Sequence, residues 1–587
     1  MEPVWKYPAS LDRRPDIELL IQQEANLEPL IWHLLLLRGI STRAGAEAFL
    51  KPSLLGLHDP FLMADMDRAV RRLDLAFSSA EKVLVYGDYD VDGTTAVAMV
   101  YGFLSARGLN CSFYIPDRFK EGYGFSMAGV EYAAEQDYTL IITLDCGIKD
   151  GLRIERCREL GIDVIVCDHH KPSALPPAFA VLDPIRSDCS YPDKGLSGCG
   201  VGFKLLQGWC RYTGHSEDDL MSYLDLLSIS IGADIVPVVG ENRILAREGL
   251  EVLNRTKRPG IRRMLELAGF NKSRLTISDV VFTLAPRINA AGRIMSGRNA
   301  VRLLLSEDPT EVEDLSRLIE GNNVTRKSLD KGITESAIRM VGEDAFYTHS
   351  FSTVVRGTEW NKGVVGIVAS RLVETFYKPS VVLVDNGEVL AGSARSIPGI
   401  DLYELLGKCQ DLLIQYGGHT MAAGLSLRAE NFLAFRERFD KLTAAALSYE
   451  RPVPELAIDL EVEFGDLTDR MFRQLMYFEP FGPANMKPVF LARHCTDAGG
   501  SRLVGNPAEH LKLRLRQQAS GRILDGIAFF SREWAPTVLS GKPVDIVFTI
   551  EPNEYNGRTT MQLVVEALRE HVPVEQVNSR SEGLAAG

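Results

Sequence analysis

Three aspartates at alternate positions, Asp88, Asp90 and Asp92, stand in the stretch KVLVYGDYDVDGTT, released directly from a short apolar run. Carboxylates this close repel one another, and each raises its neighbours' pKa unless something cationic sits among them. A divalent metal ion is the natural candidate, because hard cations take oxygen ligands. Further acids and imidazoles recur downstream: Asp145 in TLDCGI, Asp168, His169 and His170 in CDHHK, and Asp234 in SIGADIVPV. A carboxylate-rich set with one or two imidazoles suits Mn2+ or Mg2+. Cys146 and Cys167 lie beside these acids and read as small buried hydrophobes, since a thiolate would draw the site toward zinc.

The elements that must position these residues follow from the pattern between about 80 and 240. Apolar runs at Val83–Tyr86, Cys111–Ile115, Leu140–Leu144 and Asp163–Cys167 read as strands. Stretches of helical spacing at Thr94–Arg107, Ser126–Glu135 and Gly151–Leu160 separate them. This alternation predicts a parallel sheet with helices on both faces, whose ligands gather at the carboxyl ends of the strands. Asp88, Asp90 and Asp92 follow the first strand, Arg118 and Lys120 the second, Asp145 the third, and Asp168, His169 and His170 the fourth. Asp234 follows a mostly helical stretch, Met221–Ile231, that can return to the same edge. Each fragment alone has an ordinary explanation: a solvated loop, a helix N-cap at Asp145 or Asp168, a hydrogen-bonded histidine pair. Their convergence on one rim favours a metal site.

The bulk properties bound the class. A chain of 587 residues is too long for one ordinary domain, so three or four are expected. Its 45% hydrophobic and 24% charged content is that of a soluble globular protein, and no apolar run reaches the length of a membrane span. The N-terminus carries no recognisable secretory signal. Nine scattered cysteines without a C-x-x-C pair point to a reducing cytoplasm and away from disulfides or structural zinc. The net charge of −13 counts mildly against a nucleic-acid partner, although a global sum does not exclude a local basic groove.

In this order the fragments resemble the DHH phosphoesterase superfamily, whose namesake triplet is Asp168-His169-His170. LAPRINAAGR (Leu284–Arg293) resembles the next segment of its RecJ branch, the single-strand-specific exonucleases. WNKGVVGIVASRL (360–372), AGSARS (391–396) and YGGHTMAAG (416–424) resemble the glycine-rich DHHA1 domain, and FEPFGPANMKPVF (478–490) with the strand-rich segment after it resembles the RecJ OB-fold. One departure stands out: Asn361 follows the tryptophan where the family commonly has histidine, which weakens proton chemistry at this position and leaves hydrogen bonding intact.

The expected fold class is therefore α/β: a parallel-sheet DHH domain and a smaller α/β DHHA1 domain joined by a connecting helix, then an OB-like β-barrel. The expected boundaries are 1–60 for a helical lead-in, 61–308 for the DHH domain, 309–345 for the connecting helix, 346–446 for DHHA1, 453–568 for the barrel and 569–587 for a disordered tail. The charged helical stretch near 314–340 equally reads as a further packed helix of the first domain; if it connects, Asn322, Asn323 and Arg326 face a cleft. On the barrel, outward Lys512, Arg514 and Arg516 with Phe529, Phe530 and Tyr555 fit a track on which bases stack and phosphates pair, and equally the polar outer face of an ordinary β-barrel.

The resemblance implies 5′→3′ removal of mononucleotides from single-stranded DNA by two divalent ions, Mn2+ or Mg2+, in DNA repair and recombination. Asp90, Asp92, Asp145, His169 and Asp234 are the expected ligands, with Asp145 a candidate bridge and Asp88 either a ligand or an orienting acid. Asp168 is expected to hold an imidazole, and His170 to touch the phosphate or protonate the leaving group. A 5′-phosphate pocket is expected from Arg118, Arg293, Ser393 and Arg395, with His419 and Asn361 as further DNA contacts. The expected partner is single-stranded DNA with a 5′ end. A single-strand-binding protein and a helicase are candidate protein partners, and a cytoplasmic monomer without membrane attachment is expected.

Overall fold

A computed structural model describes residues 3–7, 26–118, 120–294, 296–555 and 557–572. The chain forms two compact units, one of residues 56–454 and one combining 3–55 with 455–572.

The first unit holds two sheets. In chain order its leading elements are β1 (Val83–Gly87), α1 (Val91–Ala106), β2 (Cys111–Tyr114), α2 (Met127–Glu135), β3 (Leu140–Leu144), α3 (Gly151–Glu159), β4 (Asp163–Cys167) and β5 (Ala180–Leu182). The five strands pair in the order β2-β1-β3-β4-β5, all parallel. Strand order reverses between β1 and β3, and such a switch point opens a crevice at the strands' carboxyl ends. β1 and β3 are buried along their whole length, which explains why they read as continuous apolar runs. Helices α4 (Gly198–Thr213) and α5 (Leu224–Ala233) then pack on α1. α5 is buried at nearly every position. Its apolar residues therefore lack a polar stripe, and its C-terminus can deliver Asp234 to the rim.

α6 (Ala285–Ile294) precedes the long helix α7 (Pro309–Glu343), whose Asp308 caps it by accepting the Thr310 N–H. α7 packs against α6 and also against elements of the second sheet region, β6 (Thr353–Gly357) and α8 (Val365–Phe376). It thus connects and packs at once, because a 35-residue helix is long enough to serve both lobes. β7 (Ser380–Asp385), β8 (Val389–Arg395), β9 (Leu413–Gly418) and β10 (Ala422–Arg428) complete a sheet of order β9-β10-β8-β7-β6, parallel only between β6 and β7. The glycine-rich YGGHTMAAG segment is the β9–β10 hairpin.

The second unit is a partly closed barrel. Strands β11 (Phe490–Asp497), β12 (Arg502–Val504), β13 (His510–Gln517), β14 (Ile523–Ala528), β15 (Val544–Tyr555) and β16 (Arg558–Glu570) form one sheet, and an extra pairing of β11 with β13 curls it. Alternation along β13 buries Leu511, Leu513 and Leu515 and turns Lys512, Arg514 and Arg516 outward. Phe529 and Phe530 lie just past the end of β14 and are exposed. The side chain of Tyr555 lies outside the described residues.

The N-terminal segment departs from a helical lead-in. Val4–Lys6 is extended and pairs in parallel with Glu455–Ala457. Trp32, Leu34, Leu35, Ala46 and Leu50 from two short helices enter the barrel's own core with Phe464, Phe478 and Phe548. The barrel therefore takes part of its hydrophobic face from a segment more than four hundred residues earlier, which no local pattern could reveal. The N-cap of helix Arg43–Leu50 is Thr42. β16 runs on to Glu570, because Arg569 and Glu570 keep their ladder with Asp545 and Val544; residues 573–587 lie outside the described ones.

Candidate metal centre and phosphate pocket

The chain leaves β1 at Gly87 and enters α1 at Val91, so Asp88 and Asp90 stand on the carboxyl rim. Asp90 is the N-cap of α1, its carboxylate accepting the Gly93 N–H at 3.1 Å. Gly93 has to be glycine, since a Cβ there would meet the Asp88 carbonyl oxygen at 2.4 Å. Asp92, in the first turn, accepts the Gly198 N–H at 2.6 Å, the Cys199 N–H at 2.9 Å and the Ser230 hydroxyl at 2.7 Å. It thereby fixes the start of α4, where the helix dipole favours a negative charge. Asp145, at the end of β3, has a φ of 59°, a left-handed conformation uncommon outside glycine. Its N–H is anchored to the Cys167 carbonyl at 2.9 Å.

These side chains converge. His169 Nε2 lies 3.2 Å from Asp145, 3.6 Å from Asp234 and 3.8 Å from Asp92. Asp88, Asp90 and Asp145 bring one carboxylate oxygen each within 4.8 Å of the others; Asp92, His169 and Asp234 do the same, as do Asp145, His169 and His170. Asp145 and His169 link the groups.

Charge on these acids is costly. Burial, then repulsion from Asp90, pushes Asp88 well above the usual carboxylate range. Burial, then Asp92 and Asp90, does the same to Asp145 and Asp234. Both carboxylate oxygens of Asp88 are buried without a hydrogen-bond partner; the Tyr89 and Gly124 N–H groups face it outside hydrogen-bonding geometry. An orphaned carboxylate among mutually repelling acids, with only oxygen and imidazole nitrogen as donors, fits divalent metal. The rim has the donor set of a divalent-metal centre. Saturating Mn2+, at about 100 times its Kd, should therefore stabilise the fold by about 2.7 kcal/mol and raise Tm by about 3 °C or more. A melting curve unmoved by Mn2+ would contradict the site.

Asp168 turns away from this set. Its Oδ1 accepts the His169 N–H at 2.8 Å, the His170 N–H at 3.1 Å and the His170 Nδ1–H at 2.8 Å, and its Oδ2 accepts the Ile148 N–H at 3.0 Å. Burial opposes its charge, but His170 holds its pKa below the usual range overall. With Nδ1–H committed to Asp168, Nε2 of His170 faces the Tyr123 hydroxyl at 3.1 Å. Asp145 and Asp168 are not helix caps; Asp90 is the residue that caps.

Three residues escaped sequence reading. Tyr123 is flanked by Gly122 and Gly124, both at positive φ, a turn signal inside EGYGF. Lys149 is exposed on the loop after β3, within electrostatic reach of His170 and His419. Asp183 follows β5, a strand of three residues too short to read from pattern. It is fully buried, with one oxygen accepting the Ile185 N–H and the other unpartnered, and burial pushes its pKa up to about 7.

The expected phosphate contacts form a second cluster. Arg118 lies over the Tyr89 ring. Arg293, at the end of α6, donates to the Gly363 carbonyl at 3.0 Å. Ser393 and Arg395 share one face of β8, both over Gly366: a Cβ there would lie 3.0 Å from Arg395 Nη2 and 3.5 Å from Ser393 Oγ. Among the described residues no carboxylate pairs with Arg118, Arg293 or Arg395. Burial, then Arg118, Arg326 and Arg395, lowers the Arg293 pKa to about 10. Half-buried cations gathered without acids repel one another, and an anion among them would relieve that repulsion. Asn361 does not reach it directly; its side chain accepts the Gly363 N–H at 2.7 Å and shapes the loop that receives Arg293. His419 sits exposed in the β9–β10 turn, with Lys149 and His170 as its charged neighbours.

A metal-ligand rim at the switch point of a parallel sheet, followed in the chain by a glycine-rich lobe, defines a DHH-type phosphoesterase. The sequence matches the model of the DHH family N-terminal domain over residues 82–231, the DHHA1 domain over 348–445 and the RecJ OB domain over 458–567. It is 38% identical to the single-stranded-DNA-specific exonuclease RecJ of Bacillus subtilis, over 94% of this chain and 70% of that one. It is 33% identical to the protein of that name from Escherichia coli, over 94% and 98%. The crystal structure of RecJ in complex with Mn2+ from Thermus thermophilus superposes with a TM-score of 0.81 at 28% identity, covering 97% of this chain and 80% of that one. The chain belongs to the RecJ family and is a metal-dependent phosphodiesterase. Among the described residues no helix is long and apolar enough to cross a membrane.

Proposed function

We propose that this chain is a single-stranded-DNA-specific exonuclease that works 5′→3′, releases 5′-mononucleotides and uses two divalent ions, Mn2+ or Mg2+, in DNA repair and recombination. The observation that carries the reading is a ligand rim joined through Asp145, within the same compact unit as an acid-free arginine pocket. Asp88, Asp90 and Asp145 would hold one ion, and Asp92, Asp145, His169 and Asp234 the other. Ions held there would supply a coordinated water of lowered pKa and charge stabilisation for the leaving 3′ oxygen.

The chain's own groups do the rest. Arg118, Arg293 and Arg395 offer planar forks that hold phosphate oxygens bidentately, and Ser393 adds a hydroxyl. A terminal phosphate seated among them fixes which end of the strand enters. His170, its tautomer set by Asp168, contacts the scissile phosphate or protonates the leaving oxygen. The barrel's Lys512, Arg514, Arg516, Phe529 and Phe530 supply a track for single-stranded DNA. A single-strand-binding protein and a helicase are the partners that would deliver such a strand to a monomer in the cytoplasm.

The rival reading is a DHH hydrolase of small substrates such as dinucleotides or pyrophosphate, for which the barrel would have no use. Turnover of a 5′-phosphorylated DNA strand of a few tens of nucleotides is expected to exceed that of a di-ribonucleotide; the reverse preference would sink the proposal. Arg395→Ala is expected to lower kcat/KM about tenfold on 5′-phosphorylated ends, the scale of one charge-assisted bidentate contact, and much less on 5′-hydroxyl ends. Equal loss on both ends would refute the pocket.

A further inference from the structure

The long helix α7 carries two polar side chains that the site described so far does not use. Asn323 is fully buried, and its Nδ2 has no hydrogen-bond partner. One helical turn on, Arg326 donates to the Asn323 Oδ1 at 3.1 Å, while its buried Nε has no acceptor. A buried amide nitrogen and a buried guanidinium nitrogen left unpaired side by side are each costly, and native structures rarely tolerate them without a water or a ligand as partner.

Their surroundings identify the missing partner as an anion. Two neighbouring arginines have their acids: Arg287 pairs with Glu320 at 2.6 Å, and Arg371 pairs with Glu374 at 3.0 Å. Arg326 has no carboxylate within ion-pairing distance among the described residues; Asp330 acts on it only at longer range. Arg326 is also one of the three cations whose charge is felt by Arg293. α7 packs against α6, which carries Arg293, and against α8, whose first turn lies under Arg395 and Ser393. The unpaired donors of α7 therefore adjoin the arginine pocket from the helix side.

We propose that Arg326 and Asn323 form an additional phosphate seat adjoining Arg293. This inference rests on the reading of Arg293 as part of a phosphate pocket. The guanidinium fork takes phosphate oxygens, and the Asn323 side chain, bonded to Arg326 through Oδ1, presents its amide donors toward the same anion. Arg326 holds no acid that must first be displaced, so the seat is preorganised. The phosphate comes from the DNA strand, either its terminal monoester or the second internal diester, next to the one that is cleaved.

The test uses the full chain with Mn2+ and compares R326Q, R326K and N323A with the parent on three short DNA strands of equal length: 5′-phosphorylated, 5′-hydroxyl, and 5′-phosphorylated with a neutral methylphosphonate at the second internal linkage. Cleavage at the first linkage is timed on each. R326Q is expected to lose about tenfold in kcat/KM on the standard strand, R326K less, and N323A severalfold. If the R326Q defect disappears on the 5′-hydroxyl strand, the seat takes the terminal phosphate. If it disappears on the methylphosphonate strand, the seat takes an internal phosphate. A defect of the same size on all three strands would mean that Arg326 only supports the helix, and no defect at all would mean that it binds nothing; either overturns the proposal. Arg395→Ala run in parallel separates this outcome from the broader reading: if that variant shows no preference loss for phosphorylated ends while R326Q does discriminate, the pocket assignment fails and the α7 seat stands.

Discussion

Asp145→Asn is expected to lower metal-dependent hydrolysis by ~10^3-fold or more while leaving single-strand binding nearly intact. Asp145 links the Asp88–Asp90 group to His169 and His170, so losing its charge weakens both ends of the ligand set at once. It is also fully buried, so water cannot replace it without rearrangement. Asparagine is the safer probe than alanine, because it keeps the volume and tolerates the left-handed backbone that Asp145 adopts. Asp145→Ala is expected to be equally inactive. The measurement is release of mononucleotides from a 5′-phosphorylated strand with Mn2+, set beside fluorescence anisotropy of the same strand. The arginine pocket and the barrel remain unchanged, so binding should persist. Activity within tenfold of the parent would disprove the assigned centre.

Asp168→Asn should be the next most damaging change, with kcat falling by ~10^2–10^4-fold, the range for loss of a positioned acid–base group. One oxygen of Asp168 receives three N–H groups and the other receives the Ile148 N–H. An amide can offer an oxygen to one side only. Whichever way it turns, a backbone N–H or the His170 ring loses its acceptor, and the side-chain nitrogen faces another donor. His170 is then free to present Nδ1 unprotonated or to rotate away from Tyr123. Mn2+ binding should survive better than in Asp145→Asn, because no oxygen of Asp168 belongs to the ligand groups. Calorimetric Mn2+ titration separates the two variants: similar loss of metal affinity in both would show that Asp168 ligates directly.

The two acids also illustrate what local pattern conveys. Both follow apolar strands and precede small or polar residues, and by pattern either can be a cap or a ligand. Only the packed structure distinguishes a carboxylate aimed across the rim from one closed over its own loop. Asp88 and Asp92 make the same point in reverse. Asp92 was an expected ligand and Asp88 either a ligand or an orienting acid, yet Asp92 is engaged by three donors from α4 and α5, and Asp88 has none. Those donors come from Gly198, Cys199 and Ser230, more than a hundred residues away, and no window around DYDVDG contains them.

The sequence by itself determined the four principal strands of the parallel sheet, the acids at their carboxyl ends and the phosphoesterase class. The strands were legible because continuous apolar runs, helical spacing and turn chemistry are local properties of the chain, and the class because the motifs resemble a known family. The tertiary structure alone decided which acids approach one another, that Asp90 caps its own helix, that Tyr123 meets His170, and that residues near the N-terminus complete the barrel core. These depend on which side chains meet across long loops, and burial, repulsion and unpaired hydrogen-bonding groups acquire their cost only once the chain has closed around them.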